Sequence, residues 1–201
     1  MEALVMAGGK GSRMGYCGVE KPMIEVGGVF TVKRVIDALS ASKNIDKILV
    51  SVSPNTPDTE RYVKELGIET IRTSGEDYVE DLHDSFRILK GKYVLTCPSD
   101  MPLMRSYTVD AFVDYFNANP DDTMTAIVEE DVVVKSGFTP SFDFGLDGKK
   151  WVLSGMNIMD RAKILTGEEL SYSYFMTDWV DLAINMNTEA ELKIARSFFL
   201  D

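Results

Sequence analysis

One histidine, His83, and two cysteines, Cys17 and Cys97, are all that 201 residues provide of the commonest metal-binding side chains. A lone histidine excludes histidine triads and histidine-rich zinc sites. His83 lies in a helix-like stretch with acidic neighbours and reads as a solvated position. The cysteines lack the close spacing of a metal knuckle and are too few for a disulfide framework, which points to a reduced, cytoplasmic setting. Positive charge is scarce as well: 21 Lys and Arg stand against 32 Asp and Glu, a net charge of −11. That balance argues against nonspecific nucleic-acid binding, which needs a basic field over the surface. No apolar run approaches the ~20 residues of a membrane span. The start of the chain has no charged n-region, and its short apolar run reads as a first strand rather than a leader. Repeats, low-complexity tracts and an inter-domain linker are missing. With 45% hydrophobic residues, the chain is expected to form one soluble domain over residues 1–201. The methionines read as core filling.

What is present is an alternation of strand-like and helix-like segments. Ala3–Met6 reads as a strand, Thr31–Ser42 as a helix with Val32, Val35, Ile36 and Leu39 on one face, and Lys47–Ser53 as a second strand. Helices are expected over Asp58–Leu66, Tyr78–Leu89 and Thr108–Asn117, and strands over Glu69–Thr73, Tyr93–Thr96 and Met124–Val128. This rhythm predicts an α/β fold, a Rossmann-like three-layer α/β/α sandwich with a mainly parallel central sheet. The stretch Val132–Ile158 departs from it. There Phe138–Phe144 and Lys149–Val152, joined by Gly145-Leu146-Asp147-Gly148, read as a hairpin excursion. Trp179–Met186 reads as a last strand, followed by a terminal helix from Thr188, which forms a capping box with Glu191. Parallel sheets bind ligands beyond the carboxyl ends of their strands. The loops after the strands should therefore gather on one edge.

The first of these loops, Ala7-Gly8-Gly9-Lys10-Gly11-Ser12-Arg13-Met14-Gly15, combines glycines with two cations, and Glu20-Lys21-Pro22 follows it. Glycine lets the backbone approach an anion closely, and successive N–H groups form a nest for phosphate oxygens. No Walker A register exists here. A dinucleotide fingerprint begun at Gly9 finds Met14 where its third glycine belongs, and the second strand ends in Ser53 rather than in an acidic residue. The loop follows the A-G-G-x-G-x-R-M-G pattern of nucleotidyltransferases instead. Asp100, just past a strand in Pro98-Ser99-Asp100-Met101-Pro102, suits a divalent metal or an ordinary Asx turn. On the same edge as the glycine loop, the metal role is favoured. Asn185 and Asn187 could add neutral ligands to it, and cap chemistry explains Asn187-Thr188 equally well. Thr73-Ser74-Gly75, with Tyr78, Glu80 and Asp81, reads as a base-recognising loop or as a turn and helix start.

These segments resemble the glycosyltransferase-A-like nucleotidyltransferases, including the molybdenum-cofactor guanylyltransferases. Ser53-Pro54-Asn55-Thr56-Pro57, the Thr73–Gly75 loop with Tyr78 and Glu80-Asp81-Leu82, and Asn185-Met186-Asn187-Thr188 are similar to the archaeal GTP:adenosylcobinamide-phosphate guanylyltransferases, from residue 2 to about residue 196. The resemblance implies transfer of GMP from GTP to a corrinoid phosphate with loss of pyrophosphate. It implies Lys10, Arg13, Lys21 and Asp100 as catalytic residues and magnesium on Asp100, Asn185 and Asn187. Ala7, Gly8, Gly9, Gly11, Ser53, Asn55, Thr73, Ser74, Gly75 and Asp81 would hold the nucleotide, and Gly155 and Asn157 the acceptor. Related enzymes with a molybdopterin or sugar-phosphate acceptor, and a noncatalytic nucleotide-binding module, are the alternatives. A second copy of the chain, forming a homodimer, is compatible with this size.

Overall fold

The computed structural model describes residues 1–11 and 18–200. Strand β1 (Glu2–Met6) runs at the centre of the main sheet, parallel to β4 (Lys47–Val52) on one side and β6 (Tyr93–Pro98) on the other. Its Ala3, Leu4 and Val5 are fully buried, because helices cover both faces of this part of the sheet. One face carries α1 (Thr31–Ser40), α2 (Pro57–Glu65) and α4 (Ser106–Ala118), whose Val35, Leu39, Val63, Phe112 and Phe116 pack with Ala3 and Val5. The other carries α3 (Tyr78–Ile88) and α6 (Arg161–Thr166), with Leu82, Phe86, Ile164 and Leu165 packed around Leu4, Leu49 and Val94. The expected three-layer sandwich is thus the observed one.

Among the described residues the sheet runs β10-β7-β9-β6-β1-β4-β5, with β8 paired to β9. Strand β5 (Glu69–Arg72) extends the parallel half beyond β4. Beyond β6 the sheet changes character. Strand β9 (Lys149–Asp160) lies antiparallel to both β6 and β7 (Thr123–Glu129), and β10 (Tyr172–Thr177) closes that edge parallel to β7. A small separate ladder, β2 (Glu25–Val26) with β3 (Val29–Phe30), leads into α1.

Two expectations need correction. Trp179–Met186 is not a strand: Val180–Ala183 forms the short helix α7, and 184–187 run extended without a ladder. Leu182, Ile184 and Met186 are nonetheless all fully buried. That alternate burial mimics a strand in the sequence, but the sheet edge is already taken by β10, which the sequence reading did not identify. The hairpin exists with different bounds, β8 covering Asp143–Leu146. Its turn is Asp147-Gly148, with φ of 51° and 75°, the two left-handed residues of a type I′ turn. A short helix, α5 (Glu130–Lys135), occupies the start of that region. The terminal helix α8 (Glu189–Ser197) begins as expected, with Thr188 Oγ1 accepting from Glu191 N at 3.2 Å and the Glu191 carboxylate accepting from Thr188 N at 2.9 Å.

The edge strand β10 is tied down at its start by Asp122. This carboxylate accepts from Lys163 Nζ at 2.7 Å, Ser171 N at 3.1 Å and Ser171 Oγ at 2.9 Å. The Lys163 ammonium, followed by the Ser171 N–H and hydroxyl, lowers its pKa to about 2. A depressed carboxylate stabilises the fold above its unfolded pKa of about 3.9 and stops doing so as pH falls through the folded value. Asp122→Asn should therefore lower the melting temperature at pH 7. The gap to the natural chain should close between about pH 4 and pH 2, as read by thermal unfolding across that range.

Candidate active site

The loops after β1, β5 and β6 meet at one end of the parallel half. They line a cleft of about 460 Å³ with Ala7–Gly11, Gly75–Tyr78 and Pro98–Asp100, closed by Lys21 and Asn187. The cleft forms because the loops brace one another. Gly8 O accepts from Ser53 Oγ at 2.6 Å and Asn55 Nδ2 at 3.5 Å, and Asn55 Nδ2 also donates to Gly75 O at 3.1 Å. Ser53 and Asn55 therefore stand behind the glycine loop and hold it. Thr73 is likewise turned away, its hydroxyl beside Ser51 Oγ at 3.2 Å. Asp81 lines the cleft, yet its carboxylate is occupied by Gly75 N, 3.1 Å from each oxygen, and by Ser74 Oγ at 2.9 Å. Asp77 caps α3 through Val79 N at 2.8 Å and Glu80 N at 3.0 Å. The peptide of Gly75 is thus clamped on both sides.

Lys21 opens a single 3₁₀ turn over Lys21–Met23 in which Pro22 is buried. That turn is anchored by Glu20, whose carboxylate accepts from Asp58 N and Thr59 N, both at 2.7 Å, at the start of α2. With its base fixed, the Lys21 ammonium forms an ion pair with Asp100 Oδ2 and donates to Asn187 Oδ1 at 3.0 Å. Both partners are largely withdrawn from solvent, with side chains 18% and 9% exposed. Asn187 Nδ2 donates to Asn185 O at 3.3 Å, and Asn185 Nδ2 to Ser154 O at 2.8 Å. Cap chemistry is present too: Asn187 N donates to the Glu191 carboxylate at 2.7 Å. The cap reading of this segment is the one seen, and the Asn187 amide oxygen is occupied by Lys21.

Asp100 Oδ1 and Asn185 Oδ1 are buried acceptors with no hydrogen-bond partner among the described residues. A carboxylate and an amide oxygen left without donors are what a hard divalent cation takes, and unpaired burial would otherwise be costly. No group of three or more His, Cys, Asp or Glu that could hold a metal occurs among the described residues.

Lys10 lines the cleft mouth, where its ammonium meets Glu76 Oε2 at 2.6 Å, both side chains largely exposed. Arg13 lies outside the described residues. Gly155, with φ of 85°, packs against Pro98, whose Cγ would stand 3.1 Å from any added Cβ. Asn157 flanks the site on β9, its Oδ1 accepting from Thr125 Oγ1 at 2.7 Å and its Nδ2 donating to Gly155 O at 3.1 Å. The sequence reading missed Glu20 as an anchor and Glu76 as the partner of Lys10. Neither had a local signal, because each partner lies more than thirty residues away. Cys97 is buried one strand position before the loop, and burial, with Asp100 adding to it, pushes its thiol up to about 12.

Comparison with known proteins agrees with this geometry. A family model described as a MobA-like NTP transferase domain matches residues 3–149. The chain belongs to that family. It is 34% identical to the adenosylcobinamide-phosphate guanylyltransferase of Methanocaldococcus jannaschii, over 97% of this chain and 95% of that protein. It is 30% identical to a probable molybdenum cofactor guanylyltransferase of Methanosarcina acetivorans, over 64% of this chain and 58% of that one. The fold is shared with 4-diphosphocytidyl-2C-methyl-D-erythritol synthase from Anaerococcus prevotii, at TM-score 0.69 and 15% identity, over 98% of this chain and 94% of that one. The nucleotidyltransferase is thus an enzyme of known class.

Two outcomes follow from the packing. Gly75→Ala would place a Cβ 2.4 Å from Ser53 Oγ at a φ of 71°. This should weaken nucleotide binding about tenfold or more in a titration while helix content is retained. The Cys97 peptide should resist iodoacetamide at pH 8 in the folded protein and be alkylated fully after denaturation, as read by mass spectrometry.

Proposed function

We propose that the enzyme transfers GMP from GTP to the phosphate of adenosylcobinamide phosphate, releasing pyrophosphate. The observation that carries this reading is the Lys21–Asp100 pair at the floor of a glycine-lined cleft, in a chain related over nearly its whole length to a protein of that name. A phosphate monoester is already mostly deprotonated at neutral pH, its second pKa being near 6, so attack on the α-phosphorus of GTP needs no general base. The cleft fits that demand: its lining offers cations, backbone and carboxylates, and His83 is not part of it. Catalysis then rests on positioning and charge neutralisation.

The backbone of Gly8–Gly11 would cradle the triphosphate. Lys10 would exchange Glu76 for the β- and γ-phosphates as pyrophosphate departs, and the loop motif supplies Arg13 for the same charge. Lys21, deep in the cleft, would offset the charge that develops at the α-phosphate. Magnesium would be held by Asp100 and Asn185, with Asn187 beside them, and would draw the two anionic substrates together by neutralising their oxygens. Base recognition falls mainly to the backbone and side chains of Glu76 and Tyr78, because Asp77, Asp81 and the Gly75 peptide are already engaged in the fold. A cytoplasmic setting is supported by a free, buried Cys97, and no helix among the described residues is long and apolar enough to cross a membrane.

The test is pyrophosphate release from GTP with adenosylcobinamide phosphate, molybdopterin or a sugar phosphate as acceptor. Release with the corrinoid alone is expected. Release only with another acceptor, or with none, overturns the reading. Lys21→Ala should cut turnover at saturating substrate by about a hundredfold to a thousandfold, the usual worth of one preorganised electrostatic contact. GTP affinity in the same variant, measured by calorimetry, serves as the check on its fold.

A further inference from the structure

Helix α8 touches the segment that carries Lys21 at both of its ends. At its start, Asn187 Oδ1 accepts from Lys21 Nζ at 3.0 Å, and Asn187 is itself held by its N–H, which donates to the Glu191 carboxylate at 2.7 Å. At its other end, Arg196 Nε donates to Glu25 O at 3.1 Å, a short way along the chain from Lys21. The ring of Phe199 then lies against the Arg34 guanidinium, whose carbon stands 3.8 Å from the ring centroid. Arg34 also donates to Val26 O at 2.8 Å and to Gly27 O at 3.3 Å. The hairpin gripped in this way is short and stiff. Glu25–Val26 pairs with Val29–Phe30 around Gly27-Gly28, which have φ of 57° and 70°, as in a type I′ turn. A Cβ at Gly27 would stand 2.7 Å from Arg34 Nη2 and 2.8 Å from Phe199 Cβ, so these three residues close on one another without room to spare. Between the hairpin and Lys21 the chain is fastened as well. Ile24 N donates to Lys21 O at 3.2 Å, Ile24 O accepts from Thr31 N at 3.0 Å, and the hydroxyl of the fully buried Thr31 donates to Pro22 O at 3.1 Å.

We infer that Arg34 and Phe199 are positioning residues for Lys21, with α8 as the strut between them and Asn187, a reading that rests on the reaction proposed above. The nine residues of α8 span about 13 Å, at ~1.5 Å per residue. A helix of that length does not stretch, so locking its far end to the hairpin sets where Asn187 meets the lysine. The hairpin places the backbone of Lys21 and Asn187 places its ammonium, and one rigid body refers the two to each other. Met186 N donates to Asp100 O at 3.3 Å, so the same strut reaches the other member of the ion pair. A guanidinium on a ring face suits such a joint. Its attraction depends on where the cation stands over the ring, and its planar fork can hold backbone carbonyls while it stacks. An apolar contact alone would keep the helix on the surface without fixing its register. The family model covers Lys21 and Arg34 but ends at residue 149, so α8 and Phe199 belong to a part of the chain that the family model does not describe.

The experiment compares the natural chain with Phe199→Ala, Phe199→Leu and Arg34→Ala, each made also in a Lys21→Ala background. Turnover is followed as pyrophosphate release from GTP with adenosylcobinamide phosphate, GTP affinity by calorimetry, and access to Lys21 by timed acetylation read by mass spectrometry. In the natural background each variant should lower turnover at saturating substrate about tenfold while GTP affinity is retained, since a misplacement of ~1 Å can cost about a hundredfold. Acetylation of Lys21 should become severalfold faster. In the Lys21→Ala background the same changes should lower turnover no further, because the lysine they position is gone. Phe199→Leu keeps apolar bulk and loses the ring face, and it decides the question by the same criteria if Phe199→Ala does not fold. An equal loss of turnover in both backgrounds marks general destabilisation and overturns the inference. Unchanged acetylation of Lys21 in variants that still bind GTP overturns it too. A natural chain that releases no pyrophosphate overturns the proposed function instead, and the acetylation rates, which need no acceptor, still decide the positioning.

Discussion

The ion pair between Lys21 and Asp100 is the contact through which the separate parts of the site become one. Lys21 comes from the turn before α1, Asp100 from the loop after β6, and Asn187, which shares the lysine, from the segment before α8. Withdrawing a lysine and a carboxylate from water is expensive unless each finds the other and further polar partners. Here the cost is met by arrangement outside the pair. Glu20 fixes the lysine's backbone to α2, and Asp100 O accepts from Met186 N at 3.3 Å. The Asn185 and Asn187 side chains then complete a polar wall on the far side. Removing either charge would strand the other in a nearly closed place, so the pair constrains the fold of the site.

Much of the donor half could be read from the residues themselves. The βα rhythm, the glycine loop, Lys21 before proline and Asp100 after a strand are local signals, and topology alone carries those loops to a common edge. The roles within the edge were less legible. Ser53, Asn55, Thr73 and Asp81 look like ligand contacts because they stand in polar loops next to a binding motif. The structure instead spends them on neighbouring backbone, with Asp81 holding Gly75 and Asn55 bridging Gly8 to Gly75. A side chain that positions a loop and one that touches a ligand leave the same trace in a sequence. Trp179–Met186 shows a related limit. Alternate burial at Leu182, Ile184 and Met186 is a property of packing, and it fixes no hydrogen-bond ladder.

The two halves of the sheet answer different physical demands. The parallel half ends its strands together and so concentrates loop backbone, glycines and cations in one cleft, where the proposed triphosphate would be neutralised. The antiparallel half returns β9 alongside β6 and β7, and thereby presents side chains rather than loop backbone beside the same floor. A nucleoside triphosphate offers one invariant feature, its chain of anions, and a fixed loop suffices for it. An acceptor, in the proposed reaction, would meet alternating side chains, which can change one at a time without disturbing the ladder. Gly155 joins the two halves. Its left-handed backbone and lack of a side chain let β9 approach Pro98 at the point where the parallel and antiparallel halves meet.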